Sequence, residues 1–460
     1  MRIKEKIIKS GKFWLHSNPD NKVAGILSIF DGGEISLETN GMLQKDNFSN
    51  GVKEHNRIVG VVENLGYVTL ENCFYTGKNI YGSGVNKSTL SISKLLTKVQ
   101  YDEKETIRVN TFRFSIEGLD KWINITGITS RYDIEKRTCN IDYLQPDDIV
   151  LKLNNGMDLF IGFEFSLPGY GDPSEARISQ NSFFRLESTD ERNLDEFIAI
   201  SSKITYLMCF AMDEIVSIDN IILTNNSLRQ EIGDNKSFQL EINLYYPSSP
   251  YLQTQPNYQR HNILFNYDKI KENFSQIINW WIDAYDKIPE AINLYFSAKS
   301  DTYKYIDGKF LALTQSLESF HRNISDEKLM PHEAYEKLSK SLLTNSPQEY
   351  KEWLISKLKY GNEISLRKRI KHIIEPFKDI LGNKQERDML ISQIVDTRNY
   401  RTHYDLELKP KASSGKGLWS LNQKIEAILQ LRFLLLLGFN LDEIKEIIKR
   451  SQRLRLKISQ

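Results

Sequence analysis

Cysteine is scarce in this chain. Its 460 residues hold three, Cys73, Cys139 and Cys209, with no CxxC pair and no zinc-like spacing. That excludes a disulfide framework and a thiolate metal site legible from spacing, and it fits a reducing compartment with buried thiols. Long apolar runs are missing too: stretches such as 433–437 are far too short to span a bilayer. The opening Met1-Arg2-Ile3-Lys4-Glu5-Lys6 leads into no apolar h-region, so no signal peptide is expected. Neither sign of charge dominates, since 61 Lys and Arg face 60 Asp and Glu. No internal repeat and no low-complexity segment is evident. These absences point to a cytoplasmic protein with no membrane partner, no cofactor and no metal site.

What is present is a globular composition, 40% hydrophobic and 26% charged, over a length that calls for two or three domains. The balanced net charge hides an asymmetry. Residues 301–460 carry 29 basic and 21 acidic residues, whereas the first 300 carry 32 and 39. A basic C-terminal part joined to an acidic N-terminal part points to a polyanion meeting the former, although solvated helix faces produce the same bias.

The hydrophobic period changes along the chain. Short β-branched and aromatic runs at 13–15, 23–27, 34–37, 58–63, 66–70, 107–116 and 157–165 read as strands, with turns at 18–21 and 31–33. One helix is expected at about 194–212, then strands at 217–223 and 238–246. The turn-rich stretch 247–257 is the clearest boundary. Beyond it the spacing becomes helical, starting at 267–284 and continuing at 309–323, 332–343, 348–359, 363–381, 384–398, 418–438 and 441–452. Gly382 and Gly438 stand where C-caps belong, Ser420 or Asp442 where N-caps belong, and 410–417 reads as a non-helical loop. The expected class is α+β: a β-rich, sandwich- or barrel-like N-terminal domain (1–255), a helical connector (256–305) and an all-helical C-terminal bundle (306–460).

Within that bundle, Arg398-Asn399-Tyr400-Arg401-Thr402-His403 carries the most chemistry. Cleaving RNA without a metal needs a base for the 2′-hydroxyl, an acid for the 5′-oxygen and a cation on the phosphorane. Histidine suits the proton transfers, because its pKa lies near neutrality. Arginine suits the phosphate, because its planar fork reaches two oxygens at once. The products would be a 2′,3′-cyclic phosphate and a 5′-hydroxyl. A five-residue separation turns about 500° on an ideal helix, so the two side chains diverge by about 140°. They converge if the helix breaks or starts between them, or if a second subunit completes the site; Asp396-Thr397, just before the motif, could cap a new helix. A plain salt-bridge and capping role for the pair stays open.

The string from Ile394 to Tyr404 resembles the RNx(3)H form of the HEPN ribonuclease motif, and more narrowly the HEPN domain of ApeA-type abortive-infection proteins of bacteria. Phe310-Leu311-Ala312-Leu313-Thr314-Gln315-Ser316-Leu317-Glu318-Ser319-Phe320-His321-Arg322 resembles that domain's first helix. Gly11-Lys12-Phe13-Trp14-Leu15, Gly25-Ile26-Leu27 and the stretch from Phe112 to Trp122 resemble the ApeA N-terminal domain. The resemblance implies a HEPN bundle that homodimerises and brings two motifs across one cleft. It also implies a metal-independent endoribonuclease that cuts cellular RNA, tRNA included, in defence against phage. Arg398 would then hold the scissile phosphate, His403 would move protons and Asn399 would orient the site. A sensing or restraining role for the N-terminal domain, with a phage-derived trigger, follows from the architecture.

Further RNA-contact candidates are Arg401 and Tyr404 in the motif, Lys411 and Lys416 just after it, and Arg367, Lys368, Arg369 and Lys371 in one dense basic cluster. Each has a plainer reading as a solvated cation or, for Tyr404, as core packing. Glu318 and His321, one turn apart, either face the motif or form an exposed pair. The tail from Lys449 to Lys457 reads as a solvated terminus, and Trp280-Trp281 and 433–437 as core or interface. The turn 168–173 is of recognition-loop length. Two other classes remain open: an RNA-binding module that does not cut, and a sugar- or peptide-binding β domain on a helical dimerisation platform.

Overall fold

Alternation of apolar and polar side chains shapes the first strands, with buried positions recurring every second residue over 23–29, 35–39 and 88–92. These are β1 (Ile7–Leu15), β2 (Asn18–Ile29), β3 (Ile35–Thr39), β4 (Glu54–Val62), β5 (Gly66–Asn79) and β6 (Lys87–Thr97). The computed structural model describes residues 1–44, 53–79, 86–169, 174–231, 237–300 and 303–460; residues 170–173 of the 168–173 turn lie outside them. Contacts divide the chain into two units, Met1–Ile282 and Asp283–Gln460.

In the first unit β6 pairs with both β3 and β5, closing a six-stranded antiparallel barrel in the order β6-β3-β2-β1-β4-β5. Closure removes the sheet edges that would otherwise template aggregation. Phe13, Leu27, Leu37, Ile58, Leu70 and Leu90 fill the interior. Gly60 makes room for the Phe13 ring, which a Cβ there would meet at 2.6 Å. The turn expected at 18–21 lies inside β2: Leu15 pairs with Asn18, so the chain reverses at His16 and Ser17 instead.

The unit continues through β7 (Arg108–Ile116), α1 (Leu119–Ile123), the hairpin β8 (Ile128–Asp133) and β9 (Thr138–Tyr143), β10 (Ile149–Lys152), β11 (Asp158–Ser166) and β12 (Ser179–Asn193). Then come α2 (Leu194–Met212), β13 (Ile218–Thr224), β14 (Arg229–Glu231), β15 (Ser237–Gln239) and β16 (Ile242–Tyr245). Because β16 pairs with β6, the sheet runs on from the barrel as β16-β13-β7-β12-β11-β10. Helix α2 packs on β7 and β12, stacking Phe197 on Phe112. Cys73 and Cys209 are buried, but Cys139 is exposed, since β9 belongs to a solvent-facing hairpin. The helix expected at 267–284 is two, α3 (Tyr267–Ile270) and α4 (Phe274–Lys287). Trp281 of α4 belongs to the first unit's core, its indole donating to the Lys203 carbonyl at 2.8 Å and its ring stacking on Phe210. Its neighbour Trp280 faces out.

The second unit is helical: α5 (Pro289–Lys299), α6 (Ile306–Ile324), α7 (His332–Asn345), α8 (Lys351–Leu358), α9 (Leu366–Ile374), α10 (Lys384–His403), α11 (Gly415–Leu436), α12 (Leu441–Arg450) and α13 (Gln452–Ser459). Helix α6 is central, packing on α5, α9, α10 and α11. Three expectations need correction here. Most of 410–417 is helical, with Lys409–Lys411 a 3-10 turn and α11 starting at Gly415. Neither Ser420 nor Asp442 caps; Asn440 does, in a capping box with Glu443, because Asn440 is the residue with extended backbone just before α12. The C-terminal tail is no solvated end, since α13 packs on α11 with Leu454 and Lys457 buried.

Candidate active site

Helix α10 starts at a capping box, Asn383 with Glu386, and its bundle-facing stripe is Leu390, Ile391, Ile394 and Thr397. The expected break at Asp396-Thr397 is absent. Thr397 is a fully buried mid-helix residue whose Oγ1 accepts the Ser413 N–H at 2.9 Å, which fixes the start of the segment leading to α11. The helix ends only at Tyr404, in the left-handed region at φ 53°. Of the two ways to bring Arg398 and His403 together, the one within a single chain is thereby lost.

Arg398 follows the buried stripe and is half-buried. Its Nη2 lies 3.6 Å from Glu318 Oε2 of α6, and its Nη1 donates to Asn399 Oδ1 at 3.3 Å. Glu318 also receives Arg322 at 3.0 Å, one turn along α6. His403 is the last residue of α10, exposed, its ring making no hydrogen bond or ion pair with the described residues. Beside it Tyr404 is 69% exposed, its ring edge-on to Tyr400 at 5.9 Å, which rules out core packing. Arg401 is committed within the unit: it meets Asp307 at 3.2 Å, donates to the Ser413 carbonyl at 3.2 Å and lies over the Tyr400 ring.

The basic cluster on α9 is divided by helical geometry. Arg367 and Lys371, four residues apart, share the exposed face, and Arg367 donates to Ser392 Oγ of α10 at 3.0 Å. Lys368 instead meets Glu327 at 2.7 Å. Arg369 is 2% exposed and held by Glu363 and His321, so it cannot reach an RNA phosphate and is corrected from contact residue to core residue. Lys411 is exposed and borders an open groove of about 590 Å³ shared with Asp388, Ser392 and Asp396 of α10. Lys416 is exposed in the first turn of α11.

Glu318 and His321 part company. Glu318 faces the motif, while His321 is 3% exposed and turns to His372 and Arg369. Burial, with the Arg369 charge next, lowers the His321 pKa to about 4 and keeps the ring neutral. Glu363 joins Arg369 to Arg322, so one line of ion pairs runs from Arg398 through Glu318, Arg322 and Glu363 to Arg369. Sequence reasoning missed Glu363, Glu327 and His372; only the i, i+3, i+4 placement of Glu318, His321 and Arg322 hinted at such a face.

Comparison with known families bears on this arrangement. The family model described as ApeA N-terminal domain 1 matches residues 9–281, and the Apea-like HEPN model matches 311–443, a span holding Glu318, Arg398 and His403. The chain is an ApeA-type HEPN protein. No curated protein and no solved structure matches it. HEPN domains are generally ribonucleases, so membership implies a ribonuclease-type role in antiphage defence. The ApeA fold here is a barrel-bearing β unit and a helical HEPN unit, and no helix among the described residues is long and apolar enough to cross a membrane.

Proposed function

We propose that the HEPN unit is an endoribonuclease in which Arg398 binds the scissile phosphate and His403 transfers protons. The observation that supports this reading is the contrast at the end of α10. A guanidinium is positioned by Glu318 and Asn399, and an imidazole five residues on is left exposed and uncommitted. One histidine takes the 2′-hydroxyl proton as the oxygen attacks phosphorus and, now protonated, gives it to the 5′-oxygen as the bond from that oxygen to phosphorus breaks. This leaves a 2′,3′-cyclic phosphate and a 5′-hydroxyl, while the Arg398 fork stabilises the charge that grows on the phosphorane.

Because α10 is unbroken, the reading requires a homodimer in which Arg398 and His403 of different subunits share one cleft. Asn399 holds the guanidinium in place. Tyr404 offers a stacking face for an unpaired base, and Arg367, Lys371, Lys411 and Lys416 offer phosphate contacts. The substrate is a translation RNA, with tRNA the first choice, and the β-rich unit senses a phage product or restrains the nuclease. The domain limits that go with this reading are 1–255, 256–305 and 306–460.

End-group analysis tests it. RNA fragments from tRNA incubated with the protein should carry 5′-hydroxyls that polynucleotide kinase labels without prior dephosphorylation. Fragments with 5′-phosphates would refute the mechanism. Intact RNA bound in a salt-dependent way would favour a binding module instead.

A further inference from the structure

Away from the Rx4H motif, three potential metal ligands converge in the helical unit. His321 lies near the end of α6, Glu327 in the loop that follows it, and His372 on α9; their ligand atoms all lie within 4.8 Å of one another. His321 Nε2 is 3.3 Å from His372 Nδ1, which is 3.0 Å from Glu327 Oε2. We infer that this cluster binds one divalent ion of the zinc class through His321 Nε2, His372 Nδ1 and Glu327 Oε2, leaving a fourth position to water.

The first argument is a proton count. Arginine only donates, so His321 Nδ1, 3.3 Å from Arg369 Nη1, must accept, and the neutral ring carries its proton on Nε2. That N–H points at His372 Nδ1, which must then be bare. A bare Nδ1, however, presents its lone pair to the Glu327 carboxylate. If Nδ1 is protonated instead, two N–H groups face each other. With Glu327 kept ionised by Lys368, no proton arrangement satisfies both contacts, whereas an ion at the centre receives all three lone pairs.

The second argument is size. Ligands about 2.0–2.1 Å from a tetrahedral zinc stand roughly 3.3 Å apart, close to the two separations found here. Two histidines and one carboxylate with an open position form a familiar zinc donor set. The surroundings also fit in part. Lys368 holds the other Glu327 oxygen at 2.7 Å, fixing the carboxylate. His321 is buried, while the His372 and Glu327 side chains are 38% and 37% exposed, so an ion has a route in.

Arg369 opposes loading. Once Nε2 binds the ion, the His321 proton moves to Nδ1 and faces a guanidinium, so that contact has to open while the Glu363 pair holds the other arm. Arg369 thereby sets the affinity. A glutamine in its place removes a cation and offers a carbonyl to Nδ1–H, which should tighten binding roughly 10–100-fold. The ion would act structurally, tying α9 and the loop after α6 to α6.

The test uses the full chain, stripped with chelator and dialysed against Zn²⁺, with bound metal counted by mass spectrometry. One zinc per chain is expected. Glu327→Gln and His372→Ala should each weaken binding at least about tenfold. Both positions are partly exposed, and circular dichroism verifies that the variants fold. Co²⁺ loading should give d–d bands with no thiolate charge-transfer band. No bound zinc, unchanged binding in both variants, or binding lost in Cys139→Ser would overturn the inference.

Discussion

Mixing two dead subunits should restore the nuclease. In α10 the helix continues unbroken from Lys384 to His403, so Arg398 and His403 project about 140° apart and are offset by about 7.5 Å along the axis. A dimer with a two-fold axis answers this by pairing Arg398 of one copy with His403 of the other. Arg398→Ala and His403→Ala dimers should each be inactive. When equal amounts are mixed and allowed to exchange, about half of the dimers become mixed. Each mixed dimer has one intact Arg–His pair and one doubly defective pair, so activity should return to about a quarter of wild type. The assay is tRNA cleavage over a range of mixing ratios, with the mixed species counted by native mass spectrometry. Activity should peak at equal amounts. Mixed dimers that are demonstrably present yet inactive would sink the shared-cleft geometry.

Three further outcomes follow from particular contacts. Glu426 is 4% exposed and holds Lys457 at 2.8 Å, Lys299 at 3.2 Å and Lys309 at 3.7 Å, so Glu426→Gln removes the carboxylate charge that buried lysines share and should cost about 3–5 kcal/mol, lowering Tm by about 6–20 °C. The three lysines hold the folded Glu426 pKa well below its ordinary 4.5, so its contribution is complete above that value and fades as pH falls below it; thermal melts from pH 7 to pH 3 should show this in wild type and not in the Gln variant. Glu318→Gln removes the carboxylate that competes with phosphate for Arg398, and filter binding should show RNA held up to about fivefold more tightly. Arg367→Ala should reduce the salt slope of RNA binding by about one, with little change in Tm, because its side chain lies on the exposed face of α9 and gives up one exposed hydrogen bond, to Ser392.

Elements held by local signals were legible in the sequence. Helix α2 has the bounds that its apolar period predicts, and the switch from β-rich to helical order falls where the period changes. The Rx4H residues could be named because both sit in one short string. What escaped depended on contacts between distant segments. Lys457 looks solvated by composition, and only the return of α13 onto α11 buries it against Glu426. Arg369 reads as one more cation in a basic run, yet the turn of α9 points it into the core while Arg367 and Lys371 face out. The break expected at Asp396-Thr397 relied on capping propensity, which a buried Thr397 bonded to Ser413 overrides. His321 and His372 are 51 residues apart, so no spacing rule could join them.

The central claim is that His403 moves the protons. It is exposed and its ring makes no hydrogen bond or ion pair with the described residues, so His403→Ala should fold and melt like wild type. The decisive measurement is the rate of tRNA cleavage by that variant beside wild type, with no metal added and Tm recorded for both. The expected result is a rate lower by about 10²–10⁴-fold at unchanged Tm. Cleavage at the wild-type rate by the folded variant would contradict the claim.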